Sequence, residues 1–192
     1  VGATGAVGVE LARLLSGPPW RDRVEQLRLI ASERSIGKRL PFGADEVVVE
    51  GLHDGVFDGL DCVFFSAGAS TSRAWAAQAA AAGAVVIDNS SAFRLDPDVP
   101  LIVPEVNAAV LDEGLPARRL LANPNCTTAI SVVALAPIHR AAGICRLIAS
   151  SYQAVSGSGQ SGIAQLDREA HDWAASGGET PRTPLGESYP KP

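Results

Sequence analysis

Short apolar runs alternate along most of the chain with stretches of helical period. Val9, Leu11, Leu14 and Leu15 fall on one face of a helix that opens from the glycine-rich start Gly2-Ala3-Thr4-Gly5-Ala6-Val7-Gly8. Leu27, Leu29, Ile30 and Ala31 read as a strand, as do Val47, Val48 and Val49, then Cys62, Val63, Phe64 and Phe65, then Ala84, Val85, Val86 and Ile87. Each run is rich in strand formers and bounded by Gly, Asp or Ser, and the spacing predicts parallel strands with an alanine-rich helix over about residues 71–82. Leu101, Ile102 and Val103 resume the core before Pro104-Glu105-Val106-Asn107. Leu120, Leu121 and Ala122 form a last short apolar run, and Ala129, Ile130, Val132, Val133, Leu135 and Ala136 then predict a buried helix. Residues 145–155 read as a long strand, residues 156–162 as a flexible polar loop, residues 165–175 as a helix, and Gly177 onward as Gly- and Pro-rich loop. No internal repeat interrupts this order.

Alternation of strands with helices places the chain in the α/β class. We expect a Rossmann-type dinucleotide-binding domain over residues 1–125, followed at 126–192 by the opening of an α+β catalytic and dimerisation domain, because the strand at 145–155 outlasts all that precede it. With 192 residues, 46% of them hydrophobic, the chain is long enough to bury a full core. A net charge of -5 gives no basic excess for nucleic acid or an anionic membrane. Three cysteines without metal-like spacing, no signal peptide and no long apolar span point to a reducing compartment, the cytoplasm by default. The chain opens inside what reads as a strand exit, contains no methionine and closes on Tyr189-Pro190-Lys191-Pro192. These ends read as those of an internal fragment.

The glycine turn carries the first candidate site. Gly2, Ala3, Thr4, Gly5, Ala6 and Val7 would let backbone approach a pyrophosphate while the following helix start offers N–H groups and dipole to its charge. A glycine pattern alone is weak, and its context comes from the strand ending in Ser32-Glu33-Arg34-Ser35. In a dinucleotide fold that strand end faces the adenosine ribose. There an acid selects a free 2′-hydroxyl, whereas an arginine with hydroxyls favours a 2′-phosphate. Ser32, Arg34 and Ser35 favour NADP(H), with Glu33 turned to solvent; an ordinary polar turn is the alternative. Ser66, Ala67 and Gly68 are small enough to let a cofactor lie over the end of their strand, and Asn89 stands at the next strand's exit.

Arg94 follows Asn89, Ser90 and Ser91, residues suited to an anion, and its guanidinium fork matches a phosphate or carboxylate. Pairing with Asp96 or Asp98 is the competing reading. The stretch Asn123-Pro124-Asn125-Cys126-Thr127-Thr128 is the centre of the chain. Pro124 biases Asn123 away from helical backbone, Asn125 is suited to an N-cap, and Cys126 then falls in the first helical turn. Orphan N–H groups and the positive end of the macrodipole favour thiolate over thiol there. A small buried apolar residue is the competing reading for Cys126, and the expected one for Cys62, placed in mid-strand. His53, His139 and His171 form no dyad with Cys126 and read as solvated or structural.

Taken in order, these motifs resemble aspartate-semialdehyde dehydrogenases. The resemblance rests on the glycine turn, Ser32 to Ser35, Asp88-Asn89-Ser90-Ser91-Ala92-Phe93-Arg94, Val103-Pro104-Glu105-Val106-Asn107, the cysteine stretch and Tyr152-Gln153-Ala154-Val155-Ser156-Gly157. It implies NADP-dependent conversion of L-4-aspartyl phosphate to L-aspartate 4-semialdehyde through a cysteine thioester, within diaminopimelate, lysine, threonine and methionine biosynthesis. It further implies Cys126 as nucleophile, Gln153 orienting the acyl intermediate, Arg94 on phosphate, Asn125 beside the nucleophile, and Ser156 and Gly157 at the substrate. Helix-start N–H groups near Cys126 are oxyanion-donor candidates. No metal is implied, and a homodimer or homotetramer is expected of the whole protein. The family's catalytic histidine and substrate-carboxylate arginine fall beyond Pro192, so the isolated chain is expected to turn over little. N-acetyl-γ-glutamyl-phosphate reductase shares the architecture but usually has glycine where this chain has Asn125. A non-catalytic nucleotide-binding protein with a structural cysteine is the alternative from another class.

Overall fold

The computed structural model describes residues 1–178. The expected Gly- and Pro-rich tail lies outside them beyond Gly178. Helix α1 (Ala6–Leu15) leaves the glycine turn and is followed by a two-residue strand β1 (Leu29–Ile30). Strands β2 (Arg39–Phe42) and β3 (Asp45–Glu50) come next, then β4 (Cys62–Phe65), helix α2 (Ala69–Ala81) and β5 (Val85–Asp88). A short helix α3 (Pro104–Asn107) leads to β6 (Leu120–Ala122) and then to α4 (Cys126–Ala142). The described residues separate into two compact units, divided between Ala149 and Ser150.

Within the first unit the strands form two three-stranded sheets, ordered β1-β3-β2 and β4-β5-β6. Residues Val1 and Gly2 lie between them. The Val1 nitrogen donates to Phe64 O at 2.7 Å and Ser66 N donates to Val1 O at 2.9 Å, while Gly2 N donates to Ile30 O at 2.8 Å. This backbone joins β1 to β4 and aligns the strand exits that carry the candidate residues. The parallel registers Cys62 with Val85 through Phe65 with Asp88, and Val86 with Leu120 through Asp88 with Ala122, bring the carboxyl ends of β4, β5 and β6 level. Ile30, Val56, Phe57, Phe65, Ala76, Ala79, Val86 and Leu120 are buried around this sheet, so α2 closes one face through alanines small enough for close approach. Ala3, Ala12, Leu29, Ala31 and Val49 form a second cluster under α1.

The architecture is the expected α/β one, with local corrections. Of the expected parallel strand of Val47, Val48 and Val49, only Val49 pairs in parallel, opposite Leu29, with Glu50 opposite Ile30, whereas Val47 and Val48 pair antiparallel with β2 in a hairpin. Gly43, at φ +66°, supplies the left-handed turn of that hairpin, and Pro41 obscured β2 in the sequence. Cys62 is the first residue of β4, exposed rather than buried in mid-strand. Helix α4 buries no residue: Ile130 is 74% exposed and Ile138 54%, so its apolar character is not matched by cover from the described residues. The strand expected over 145–155 does not form. Residues 143–154 carry no ladder, Leu147, Ile148 and Tyr152 are exposed, and an extended segment without a hydrogen-bonded neighbour is not a strand.

The second unit, taken by itself, has as its first helical element a 3-10 turn (Val155–Ser158) that runs into helix α5 (Gly159–Ala175). The expected flexible loop over 156–162 is therefore helical for much of its length. Gly162 is buried in α5, and a Cβ there would come within 3.1 Å of Val155 O, so the glycine content reflects close packing rather than flexibility.

Candidate active site

The glycine turn is built to the tolerance of its backbone. Gly2 has φ +87°, and a Cβ on it would lie 2.5 Å from Ser66 O. A Cβ on Gly8 would overlap Gly2 O, so the turn, the first helical turn and the exit of β4 meet with no room for side chains. Helix α1 has Gly5 as its N-cap without a side-chain cap and no acid in its first turn, which leaves its N-terminal N–H groups to an anion. These features fit a pyrophosphate. Thr4 Oγ1 and Ser35 Oγ are 3.2 Å apart, so the glycine turn touches the exit of β1. Ser35 is buried, whereas Ser32, Glu33 and Arg34 are exposed on a 3-10 turn (Glu33–Ser35), which leaves the guanidinium available to a 2′-phosphate. At the exit of β4, Gly68 has φ +90° and open space where a side chain would stand, beside Ser66 and Ala67.

The exits of β5 and β6 are tied together by side chains. Asp88 is fully buried and accepts from Ser72 Oγ at 2.6 Å, Ser90 Oγ at 2.7 Å and Ser90 N at 3.1 Å. Its carbonyl accepts from Asn123 N at 2.8 Å. Asn123 Nδ2 donates to Asn89 Oδ1 at 2.7 Å. Arg94 donates from Nε to Asn123 O at 2.9 Å and from an NH2 hydrogen to Asn89 O at 3.0 Å. Asp96 instead pairs with Arg118 at 2.7 Å, so the acid next to Arg94 in sequence is engaged elsewhere. Arg94 is half-buried, and two of its donors are fixed by backbone carbonyls, leaving the others for an oxyanion.

Cys126 opens α4 and is exposed. Asn125 caps the helix: its Oδ1 accepts from Thr127 N at 2.9 Å and Thr128 N at 3.4 Å. Those two N–H groups are thereby removed from the expected set of oxyanion donors, a consequence of the cap itself. The cap does not use the Asn125 amide NH2, which remains a donor beside the sulfur in sequence. At the far end of α4, His139 Nδ1 accepts from Ile144 N at 3.1 Å and Gly143 turns at φ +69°, which makes His139 a helix-end group. Cys62, an exposed residue at the start of β4, also lines a cavity of about 100 Å³ with Leu11, Leu29 and Val63; partial loss of water around the thiol pushes its pKa up, and Asp61 adds to the effect.

In the second unit Gln153 packs against Gly157, where a Cβ would overlap the Gln153 amide nitrogen. Ser156 and Gly157 are exposed on the same 3-10 turn. The first unit therefore gathers the glycine turn, Ser35, Ser66 to Gly68, Asn89, Arg94, Asn125 and Cys126, and the second gathers Gln153, Ser156 and Gly157. Sequence reasoning missed Ser72, Asp88 and Asn123 as structural partners of this site. The available signal was an acid closing the apolar run Val85-Val86-Ile87, directly before an asparagine and two serines. Among the described residues no His, Cys, Asp or Glu cluster could hold a metal ion, and no helix is long and apolar enough to cross a membrane.

Residues 1–114 match the family model for the NAD binding domain of semialdehyde dehydrogenases, and residues 135–187 match the dimerisation domain of the same enzymes. The chain is 48% identical over 183 residues to an aspartate-semialdehyde dehydrogenase of Aquifex aeolicus, covering 95% of this chain and 53% of that protein. The Bacillus subtilis enzyme of that name is 44% identical over 166 residues, covering 86% and 46%. Among solved structures, aspartate semialdehyde dehydrogenase II of Vibrio cholerae, complexed with ASA, superposes with a TM-score of 0.87 at 39% identity, covering 99% of this chain and 54% of that one. The Candida albicans enzyme with NADP superposes with a TM-score of 0.60 at 28% identity, covering 75% and 46%. The chain spans about half the length of the curated relatives it matches.

Proposed function

The chain belongs to the semialdehyde dehydrogenase family, and on that premise we propose that it is the cofactor-binding and nucleophile-bearing half of an NADP-dependent aspartate-semialdehyde dehydrogenase. The observation that carries the reading is an exposed cysteine in the first turn of α4, whose approach segment is latched to the loop bearing Asn89 and Arg94. A nucleophile so placed lies next to the strand exits where a dinucleotide binds.

In the physiological direction Cys126 Sγ attacks the acyl carbon of L-4-aspartyl phosphate, the carbon–oxygen bond to phosphate breaks, and a thioester forms on the enzyme. Arg94 receives the departing phosphate through the guanidinium donors not committed to Asn89 and Asn123. Asn125 offers its amide NH2 to the acyl oxygen; for the second unit, taken by itself, the family resemblance assigns Gln153 to orienting the acyl intermediate and Ser156 and Gly157 to the substrate. Bound NADP(H) would supply the hydride in this direction and accept it in the reverse. Gly2 to Val7 would hold its pyrophosphate, Ser32, Arg34 and Ser35 its 2′-phosphate, and Ser66, Ala67, Gly68 and Asn89 its nicotinamide end. Cys126 departs again as thiolate when the semialdehyde is released.

The cofactor-binding domain is taken as residues 1–125, with the catalytic and dimerisation domain opening at 126. The whole protein acts as a homodimer or homotetramer in the cytoplasm, in the synthesis of lysine, threonine and methionine. Similarity to the relatives named aspartate-semialdehyde dehydrogenase, together with Asn125 in the cysteine stretch, favours aspartyl phosphate over N-acetylglutamyl phosphate. Steady-state assays of the full-length protein with both acyl phosphates and NADPH test this. Turnover of aspartyl phosphate is expected, and preference for N-acetylglutamyl phosphate, or no turnover of either, overturns it.

A further inference from the structure

Asn123 lies between the two halves of the proposed chemistry without being either nucleophile or cofactor ligand. Its backbone nitrogen donates to Asp88 O at 2.8 Å, its carbonyl accepts from Arg94 Nε at 2.9 Å, and its side-chain NH2 donates to Asn89 Oδ1 at 2.7 Å. Both backbone polar groups and the amide of one residue are thus spent on the β5 exit, three positions before Cys126 in the chain. Asp88, which anchors that exit, is itself fixed by Ser72 in the first turns of α2 and by Ser90.

The side-chain bond has a directional consequence. An amide oxygen that accepts from Asn123 leaves the Asn89 NH2 as the group that can donate outward. The paired amides hold the Asn89 side chain at the β5 exit, with one polar group turned inward to Asn123 and the other left outward. The same residue fixes the Nε edge of Arg94, so the remaining guanidinium donors face away from Asn123.

We propose that Asn123 is a positioning residue, which sets the Asn89 amide and the Arg94 fork and registers the Cys126 turn against them. The proposal rests on the function assigned above. A hydride-transfer site tolerates little misplacement, and an error of about 1 Å can cost roughly a hundredfold in rate.

The test uses the full-length protein and its Asn123→Ala and Asn123→Asp variants. The readouts are kcat, KM for NADPH and for aspartyl phosphate, NADPH affinity by fluorescence, the iodoacetamide rate of Cys126, and Tm. Asn123→Ala is expected to lower kcat by about 10- to 100-fold. NADPH affinity and the alkylation rate should stay within about threefold, because sulfur and pyrophosphate site are untouched. Asn123→Asp presents only acceptors, so the contact re-forms only if Asn89 turns its NH2 inward. We expect part of kcat to return while KM for NADPH rises by about fivefold or more, moving the defect from one constant to the other. Residual kcat within about threefold of wild type in Asn123→Ala overturns the proposal. So does a loss in both variants that follows Tm alone with no shift between kcat and KM. If wild type itself turns over neither acyl phosphate, it is the assignment of function that fails.

Discussion

Arg94 reaches across 29 positions of sequence to donate its Nε hydrogen to Asn123 O at 2.9 Å. The cation beside the proposed phosphate site is thereby part of the same construction that delivers Cys126. Arg94→Lys keeps the charge but lacks the planar fork, and one ammonium cannot reproduce two fixed bonds and face an anion together. In the full-length enzyme we expect KM for aspartyl phosphate to rise and kcat to fall, with kcat/KM lower by about 100-fold or more, from loss of charge-assisted hydrogen bonds worth roughly 1.5–3 kcal/mol each. Steady-state kinetics checks this, and an unchanged kcat/KM contradicts it.

Asn125 acts through the helix start. Replacing it by alanine removes the acceptor for Thr127 N and Thr128 N and should lower stability by about 1 kcal/mol. Asn125→Asp keeps the cap oxygen and adds charge favourable to a helix N-terminus, so it should be stable yet poorly active, since it loses the amide NH2 proposed to face the acyl oxygen. Chemical denaturation and activity measured on both variants separate the two roles. Equal stability loss in the two would show that the cap does not matter.

Cofactor choice is predicted to depend on Arg34. It is exposed beside Ser32, on the turn whose buried Ser35 contacts Thr4 of the glycine turn. Arg34→Ala should raise KM for NADPH by about tenfold, near 1.4 kcal/mol, and leave KM for NADH within a factor of about two. Equal effects on both cofactors would place the 2′-phosphate elsewhere.

The order of strands and helices was legible in the sequence because the runs at β4 and β5 are short, apolar and bounded by Gly, Asp or Ser, and the run at β6 is short, apolar and closed by Asn123-Pro124. Asn125 as a cap was legible for the same local reason: an oxygen two residues before an N–H needs no distant partner. The segment over 145–155 has strand composition, but a strand is a property of two segments, and composition speaks for only one. Likewise the apolar residues of α4 mark what the helix can bury, not what lies over it. Asp88 and Asn123 stood in the quoted motifs, but their role as partners arises from a pairing between the exits of β5 and β6, and single-chain periodicity does not carry that contact.

The cysteines should differ in reactivity. The Cys62 thiol, partly desolvated where it lines the cavity although the residue is exposed, has a raised pKa, reinforced by Asp61, so at neutral pH less of it is thiolate than for an ordinary cysteine. Its alkylation should be slow at pH 7 and accelerate as pH rises beyond the usual thiol range. Peptide mass spectrometry after timed iodoacetamide treatment of the full-length protein at several pH values should show Cys126 modified ahead of Cys62 at pH 7. The reverse order would contradict both the environment of Cys62 and the assignment of the nucleophile.

The central claim is a covalent acyl group on one sulfur, and it is tested by incubating the full-length enzyme with aspartyl phosphate in the absence of NADPH, quenching in acid and locating the adduct by mass spectrometry. An aspartyl thioester is expected on the peptide containing Cys126, released by hydroxylamine and absent from Cys126→Ala. An unmodified Cys126 peptide from enzyme that is active when NADPH is added, or the same adduct persisting in Cys126→Ala, would contradict it.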